Sequence, residues 1–347
     1  MALAMTESIA SGDTKNEILK ALNMTEDEVK AYVKALMYYS NKEDTNITEI
    51  LANSIWLNSS VEYKNEAIET LANDYVTSSY SADFTNNNAI ANDNIRRYVR
   101  NNTKGLINRK FDLPTTTTFA LINTLYYKDA WASIAGGLSE TTEKYDFIDA
   151  DGNAININLI QGNYSNGKVV EREAYNAFYS ETLNNYKLTF VVPNDNYSIT
   201  DVFNAETIAY VNSKEFKEEI KNSSYDSSTN TYYETRCLFP GFRAQYGNSI
   251  VGSLKNLGIS TAFSSSADFS NLTNMSSHVS TVVHATKLKV DKAGIEGAAV
   301  TVVGGETTSV GPTKMVIRDD FYVTKEFGYV ISDNYGIPLF TGIVNEI

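Results

Sequence analysis

Cysteine and histidine are scarce in this chain, and their scarcity excludes several kinds of chemistry. The one cysteine, Cys237, rules out an internal disulfide and any cysteine-rich zinc site. The two histidines, His278 and His284, leave little material for a metal site or a catalytic triad. The Gly-x-Ser-x-Gly turn that carries the nucleophile of many hydrolases is absent. We therefore expect no metal, no cofactor and no enzymatic activity.

Long apolar runs and an excess of positive charge are also lacking. No stretch of 18 or more apolar residues exists, so no membrane span is expected. The formal net charge of -13 argues against general nucleic-acid binding, which requires a basic surface. The 347 residues are 42% hydrophobic and 20% charged, which is enough to bury a sizeable core. Because no repeat or flexible linker divides the chain, we expect a single domain over residues 1–347.

The first third of the sequence has mainly helical patterns, and strands dominate after residue 117. Capping-box patterns at Thr14 and Thr25 predict the starts of two helices, and a third helix is predicted around residues 95–107. Apolar runs at 119–127, 188–192 and 321–331 predict strands. Residues 149–153 resemble a calcium loop superficially, but a hairpin turn fits their spacing better, and Cys237 is predicted to be a core residue. These patterns predict an α+β protein.

Six separated motifs then point to one family. They are ANSIW at 52–56, NIRRYV at 94–99, LINTLYYKDAW at 121–131, ADFS at 267–270, VDKAGIEGAA at 290–299 and PLFTGIV at 338–344. In this order they resemble the serpins, and the resemblance covers nearly the whole chain. Residues 2–5 resemble the interior of the family's second helix, so we expect the family's first helix and first strand to be missing here. The high Asn and Tyr content is typical of a microbial protein, and we expect a bacterial member.

The resemblance implies both a fold and a function. The fold has a large central mixed β-sheet, further sheets, surrounding helices and an exposed reactive-centre loop, which we place at residues 294–320. The function is suicide-type inhibition of serine proteases: the protease cleaves the loop and forms an acyl-enzyme, and the loop then inserts into the main sheet as a new strand. We expect a secreted monomer that acts outside the cell or at its surface. The alternative is a non-inhibitory serpin that serves as a binding or chaperone protein.

The reactive-loop hinge is predicted at the start of this loop. If residues 294–306 form a strand, one face carries no charge and the other carries both glutamates, which suits insertion into a sheet. An ordinary edge or hairpin strand would also alternate. By resemblance the hinge consists of Gly294, Ile295, Glu296, Gly297, Ala298 and Ala299.

The scissile bond is predicted from its usual distance to the hinge glycine. Fourteen residues beyond Gly294 lies Thr308, so cleavage is expected between Thr308 and Ser309, with the bonds on either side as alternatives. Counting back from Phe321 points instead to the bond after Met315. A small β-branched residue before the bond suits elastase-like or subtilisin-like proteases.

Three further residues are assigned by resemblance to the region where the sheet opens. Asn123 and His284 are expected to lie together beneath the sheet and hold its strands closed by buried hydrogen bonds. Trp131 is expected at the top of the sheet, where insertion begins. Ordinary core roles for His284 and Trp131 are equally compatible with the sequence.

Overall fold

The computed structural model describes residues 1–44, 47–132, 137–246, 250–279, 286–296 and 315–347. The described chain forms two compact units. The first unit comprises most of residues 1–127 together with 245–287, and the second comprises residues 128–244 and 288–347. Each unit therefore joins stretches that are far apart in the sequence.

Helices are concentrated in the first unit. None of the helices in the described part of the chain has the length and apolar content needed to cross a membrane. The helices are α1 (Ala2–Ile9), α2 (Gly12–Leu22), α3 (Glu26–Ser40), α4 (Asn65–Tyr75), α5 (Asn88–Asn102), α6 (Ile199–Val202), α7 (Ala205–Asn212), α8 (Lys214–Asn222), α9 (Val251–Asn256) and a 3₁₀ turn (Thr261–Phe263).

Most of the strands lie in the second unit, and together with the helices they confirm the α+β class. They are β1 (Lys42–Glu43), β2 (Ile47–Asn58), β3 (Thr77–Ala82), β4 (Phe119–Ala130), β5 (Ser139–Glu140), β6 (Tyr145–Ile148), β7 (Ala154–Ile157), β8 (Ile160–Gln161), β9 (Ser165–Asn166), β10 (Val170–Glu171), β11 (Tyr175–Glu181), β12 (Lys187–Pro193), β13 (Tyr225–Asp226), β14 (Thr231–Phe239), β15 (Phe242–Tyr246), β16 (Thr286–Asp291), β17 (Gly294–Ile295), β18 (Met315–Tyr322), β19 (Phe327–Ser332) and β20 (Pro338–Val344).

In the first unit, helices cover a sheet in which β2 lies between β4 and the edge strand β1, and β3 also pairs with β2 in parallel. The core between helices and sheet contains fully buried side chains such as Met5, Ile18, Ile55 and Leu71. Each such side chain contributes roughly 1.5–3 kcal/mol when removed from water. The sequence pattern of β4 is confirmed, and its last three residues, 128–130, belong to the second unit.

The second unit contains an antiparallel sheet in the order β10-β11-β12-β19-β20 and another in which β14 pairs with β13, β8, β9 and β18. Aromatic rings fill its core: the ring centroids of Phe190 and Phe239 lie 4.9 Å apart, and those of Phe190 and Phe327 lie 5.6 Å apart. Cys237 is buried as predicted, and burial raises the pKa of its thiol. The hairpin turn predicted at 149–153 is also confirmed, since it joins β6 to β7.

Helix starts show where local patterns succeed and fail. The capping box at Thr25 is confirmed, because its side chain accepts from the N–H of Glu28 and the Glu28 carboxylate accepts from the N–H of Thr25. The cap predicted at Thr14 is wrong, since α2 begins earlier with Ser11 at its N-cap. The hydroxyl of Thr14 accepts instead from the backbone N–H of Asp268, a tertiary contact that the local pattern does not reveal.

Two predicted boundaries are corrected. The third helix, α5, ends before residue 107 because Lys104 and Gly105 adopt φ values of 48° and 86°, which end the helix. The strand predicted at 321–331 is two strands, β18 and β19. Because β18 pairs in parallel with β14 from Met315 onward, the last six residues of the predicted reactive-centre loop, 315–320, form part of a strand.

A buried carboxyl group connects the helices of the first unit. Glu7 on α1 is fully buried; the hydroxyl of Tyr75 at the end of α4 donates to its carboxylate (2.9 Å), and Nζ of Lys15 on α2 lies 3.3 Å from its other oxygen. Lys15 also binds Glu26 on α3. Burial raises the pKa of Glu7, and the contacts with Tyr75 and Lys15 offset only part of this effect. Glu26, whose carboxylate binds both Lys15 and Lys30, instead has a lowered pKa.

Glu7 should therefore make the stability of the protein depend on pH. Folded Glu7 keeps its proton at a higher pH than the unfolded chain does, so the free energy of unfolding rises as the pH falls from 7 toward 4.5. Glu7→Gln should remove this rise, on the order of 1 kcal/mol, in urea unfolding at about pH 5 and pH 7. Glu69→Gln, on the exposed side of α4, is the matched control. An unchanged pH dependence in Glu7→Gln would contradict this account.

Candidate functional site

The predicted hinge begins with a two-residue hairpin turn between β16 and β17. Asp291 pairs with Gly294 across the turn, and Lys292 and Ala293 form its tip. The Asp291 carboxylate accepts from the N–H of Ala293 (2.8 Å) and binds Nζ of Lys289 (2.6 Å). Burial acts to raise the pKa of Asp291, but these hydrogen bonds outweigh it and hold the pKa below its ordinary value. An ionised Asp291 thus fixes the turn that leads into the hinge.

Beyond the turn, the predicted hinge residues Gly294 and Ile295 lie between two strands. On one side they pair with Asp291 and Val290 of β16, and on the other side with Ala130 and Asp129 of β4, antiparallel in both cases. The side chain of Ile295 is fully buried. The first two residues of the hinge therefore already occupy a strand position.

A close backbone approach explains the glycine at position 294. A Cβ atom there would lie 2.2 Å from the carbonyl oxygen of Asp129 and 3.0 Å from Cα of Ala130. These are backbone atoms that cannot rotate away, so only glycine fits without moving β4.

Trp131 lies directly beside the turn. Its indole N–H donates to the carbonyl of Asp291 (2.6 Å), and its ring packs edge-on against Phe239, with centroids 5.5 Å apart. Trp131 is only 1% exposed. The carbonyl of the next residue, Lys292, accepts from the N–H of Leu138 (2.7 Å). The turn is therefore held from two sides.

The whole chain matches one known protein family. The family model described as serpin (serine protease inhibitor) matches residues 1–347. The chain belongs to the serpin family.

Relatives and solved structures of serpins agree with this assignment. Iripin-1 of Ixodes ricinus is 26% identical over all of this chain and 86% of its own length, and Serpin-Z10 of Arabidopsis thaliana is 22% identical over 97% and 87%. The native state of the thermophilic serpin Tengpin superposes with a TM-score of 0.80 at 24% identity, covering all of this chain and 86% of that one. A complex of thyroxine-binding globulin with thyroxine gives a TM-score of 0.75 at 18% identity, covering 99% and 89%. The serpin fold predicted from the sequence is confirmed.

The remaining serpin-specific predictions divide into two groups. Asn123 on β4 donates to the side-chain oxygen of Asn53 on β2 (2.8 Å), and Asn53 in turn donates to the backbone carbonyl of Tyr75 (2.9 Å). His284, the expected neighbour of Asn123, lies outside the described residues. So do the rest of the hinge and the predicted scissile bond: Gly297, Ala298, Ala299, Thr308 and Ser309.

Several residues of this serpin site were not singled out from the sequence. Asp291 could have been found, because an Asp followed two residues later by a small residue and then Gly is a turn signal. Asn53 lay within a family-like motif, but its pairing with Asn123 joins positions 70 residues apart. Asp129, which receives a hydrogen bond from Asn184 (2.9 Å) on its side chain and faces Gly294 with its backbone, carried no local signal.

Replacing the hinge glycine should displace the hinge from the sheet. Gly294→Ala should lower the free energy of unfolding by roughly 1–3 kcal/mol, because its new methyl group meets backbone. It should also increase amide hydrogen exchange at Ile295 and Glu296. Gly252→Ala is the matched control, since a Cβ atom there meets nothing within 4 Å. Unchanged exchange in Gly294→Ala would contradict the packing argument.

Proposed function

We propose that this serpin is a suicide-type inhibitor of serine proteases with elastase-like or subtilisin-like specificity. The supporting observation is the position of Gly294 and Ile295, which form a strand between β16 and β4. The two residues run antiparallel to both flanking strands, and loop residues that insert after cleavage would extend the same strand. We also propose that the protein acts as a monomer outside the cell or at its surface, where proteases of these classes meet inhibitors.

The driving force follows from the same geometry. Each inserted residue adds hydrogen bonds to the two flanking strands, and each bond contributes roughly 0.5–1.5 kcal/mol net. Ile295 belongs to the uncharged face of the loop and is fully buried, whereas Glu296 on the other face is half-buried. Insertion moves the bound protease and distorts its oxyanion hole, which blocks deacylation.

The scissile bond is proposed between Thr308 and Ser309. The rival position after Met315 is less favoured, because Met315 pairs with Thr231 at the start of β18. A protease binds its substrate in an extended form that is free of other strands. Thr308 would fit a shallow primary pocket.

The decisive experiment is incubation with an elastase-like and a subtilisin-like protease, followed by denaturing electrophoresis and mass spectrometry. We expect a covalent adduct at the summed mass and a released peptide that begins at Ser309. Cleavage with fully active protease and no adduct would reject inhibition. It would favour a binding serpin, a role for which the thyroxine complex of a structural relative gives precedent.

A matched pair of loop variants separates insertion from cleavage. Ala299→Arg places a charge on the face that would enter the sheet, and Ala298→Arg places the same charge on the opposite face. Ala299→Arg should be cleaved as a substrate with at least a tenfold loss of adduct (about 1.4 kcal/mol), while Ala298→Arg keeps it. Equal adduct yields would contradict the proposed insertion.

Specificity should follow residue 308. Thr308→Arg should shift adduct formation from elastase-like to trypsin-like proteases, because a long cation requires a deep acidic pocket. The rate of adduct formation with trypsin should rise by at least tenfold (about 1.4 kcal/mol). Thr307→Arg is the matched control, and a larger gain in that variant would move the scissile bond by one residue.

A further inference from the structure

Glu296 directly follows Ile295, the last residue of β17. Its backbone has a φ of 60°, in the left-handed region, whereas Ile295 before it is part of β17. Its N–H still donates to the carbonyl of Lys289 on β16 (2.6 Å). This hydrogen bond extends the pairing of β17 with β16 by one residue. The chain turns at that residue, Glu296.

A left-handed backbone is unusual for a glutamate. The Cβ atom of an L-residue approaches the following carbonyl in this region, so single Gly or Asn residues normally occupy it. Such conformations persist where surrounding structure imposes them, and they concentrate in switch regions. Here Gly294 and Ile295, which are paired on both sides, fix the backbone that leads into Glu296.

The register shows what Glu296 would meet if it became extended. Ile295 pairs with Asp129 on β4 and with Val290 on β16, so the next position on each strand is a lysine, Lys128 and Lys289. Residues directly opposite each other share a face of the sheet. An extended Glu296 would therefore lie between two lysines, of which Lys289 also binds the Asp291 carboxylate (2.6 Å).

We infer that Glu296 is a two-state positioning residue whose left-handed backbone stops insertion in the uncut serpin, and whose extended form is held by Lys128 and Lys289 once insertion proceeds. This inference rests on the proposed function, because it concerns the rate of loop insertion. Releasing the stop requires one change, that of the backbone of Glu296 from left-handed to extended. Substitutions at that residue should therefore alter the insertion rate without altering the cleavage site.

Three neutral variants separate backbone preference from charge. Glu296→Gln removes the charge and keeps the backbone preference, so it should slow insertion a few-fold through loss of the lysine contacts. Glu296→Gly favours the left-handed form and should be slower than Gln. Glu296→Val, which disfavours that form and favours a strand, should be faster than Gln. Gly and Val should differ by between about fivefold and thirtyfold in rate.

Trp131 provides the readout, because its indole bonds to the turn at Asp291. Replacing the other tryptophan, Trp56→Phe, leaves Trp131 as the only tryptophan of the serpin, and the signal of the protease alone is subtracted. Insertion is followed by stopped-flow fluorescence after cleavage with excess elastase-like protease, and circular dichroism checks that each variant is folded. A rise in melting temperature after cleavage shows independently that the loop has inserted.

The outcomes distinguish this inference from the proposed function. Insertion at one rate in the Gln, Gly and Val variants would overturn the role of Glu296 and leave inhibition intact. If the cleaved parent protein gains no thermal stability and its fluorescence does not change, the loop does not insert, and both proposals fail. The rank order Val, Gln, Gly from fast to slow would support the stop.

Discussion

The contact between Gly294 and the backbone of Asp129 sets the geometry at the start of the predicted hinge. Because no side chain separates the two strands at this position, β17 can pair with β4 and β16 at once. The turn at Asp291, the indole bond of Trp131 and the burial of Ile295 all depend on that close approach. A larger residue would separate the strands and remove the partners of each of these groups together.

Polar groups in the two units act in different ways. At the turn, an ionised carboxylate organises backbone N–H groups and remains partly exposed, so its charge is screened and its role is geometric. In the first unit, Glu7 is fully buried and ionisation works against its burial. Tyr75 links this group to the strands, because its hydroxyl binds Glu7 and its carbonyl accepts from Asn53. One residue thus connects a buried carboxyl group to the amide pair formed by Asn53 and Asn123.

The sequence was sufficient for the fold and for part of the site. Ordered motifs identified the family, and the apolar pattern of β4 and the capping box at Thr25 were read correctly because they depend on near neighbours. The cap at Thr14 was misread because a distant segment supplies its partner. The pairing of Asn123 with Asn53 and the left-handed backbone of Glu296 depend on strand register, which no local pattern encodes. The start of β18 was not predicted for the same reason. Met315 and Val316 are exposed and have no strand pattern of their own, and it is their pairing with β14 that makes them part of a strand.

The buried cysteine has a practical consequence. Cys237 is the only thiol of the chain, it is 1% exposed, and its raised pKa keeps it protonated and therefore unreactive. A second cysteine introduced at any exposed position would be the one that reacts with a maleimide probe, with no need to remove the native residue. Spin labels or fluorophores could thus be attached singly to an otherwise unaltered molecule. Distances within the working protein then become measurable without disturbing the aromatic core around β14.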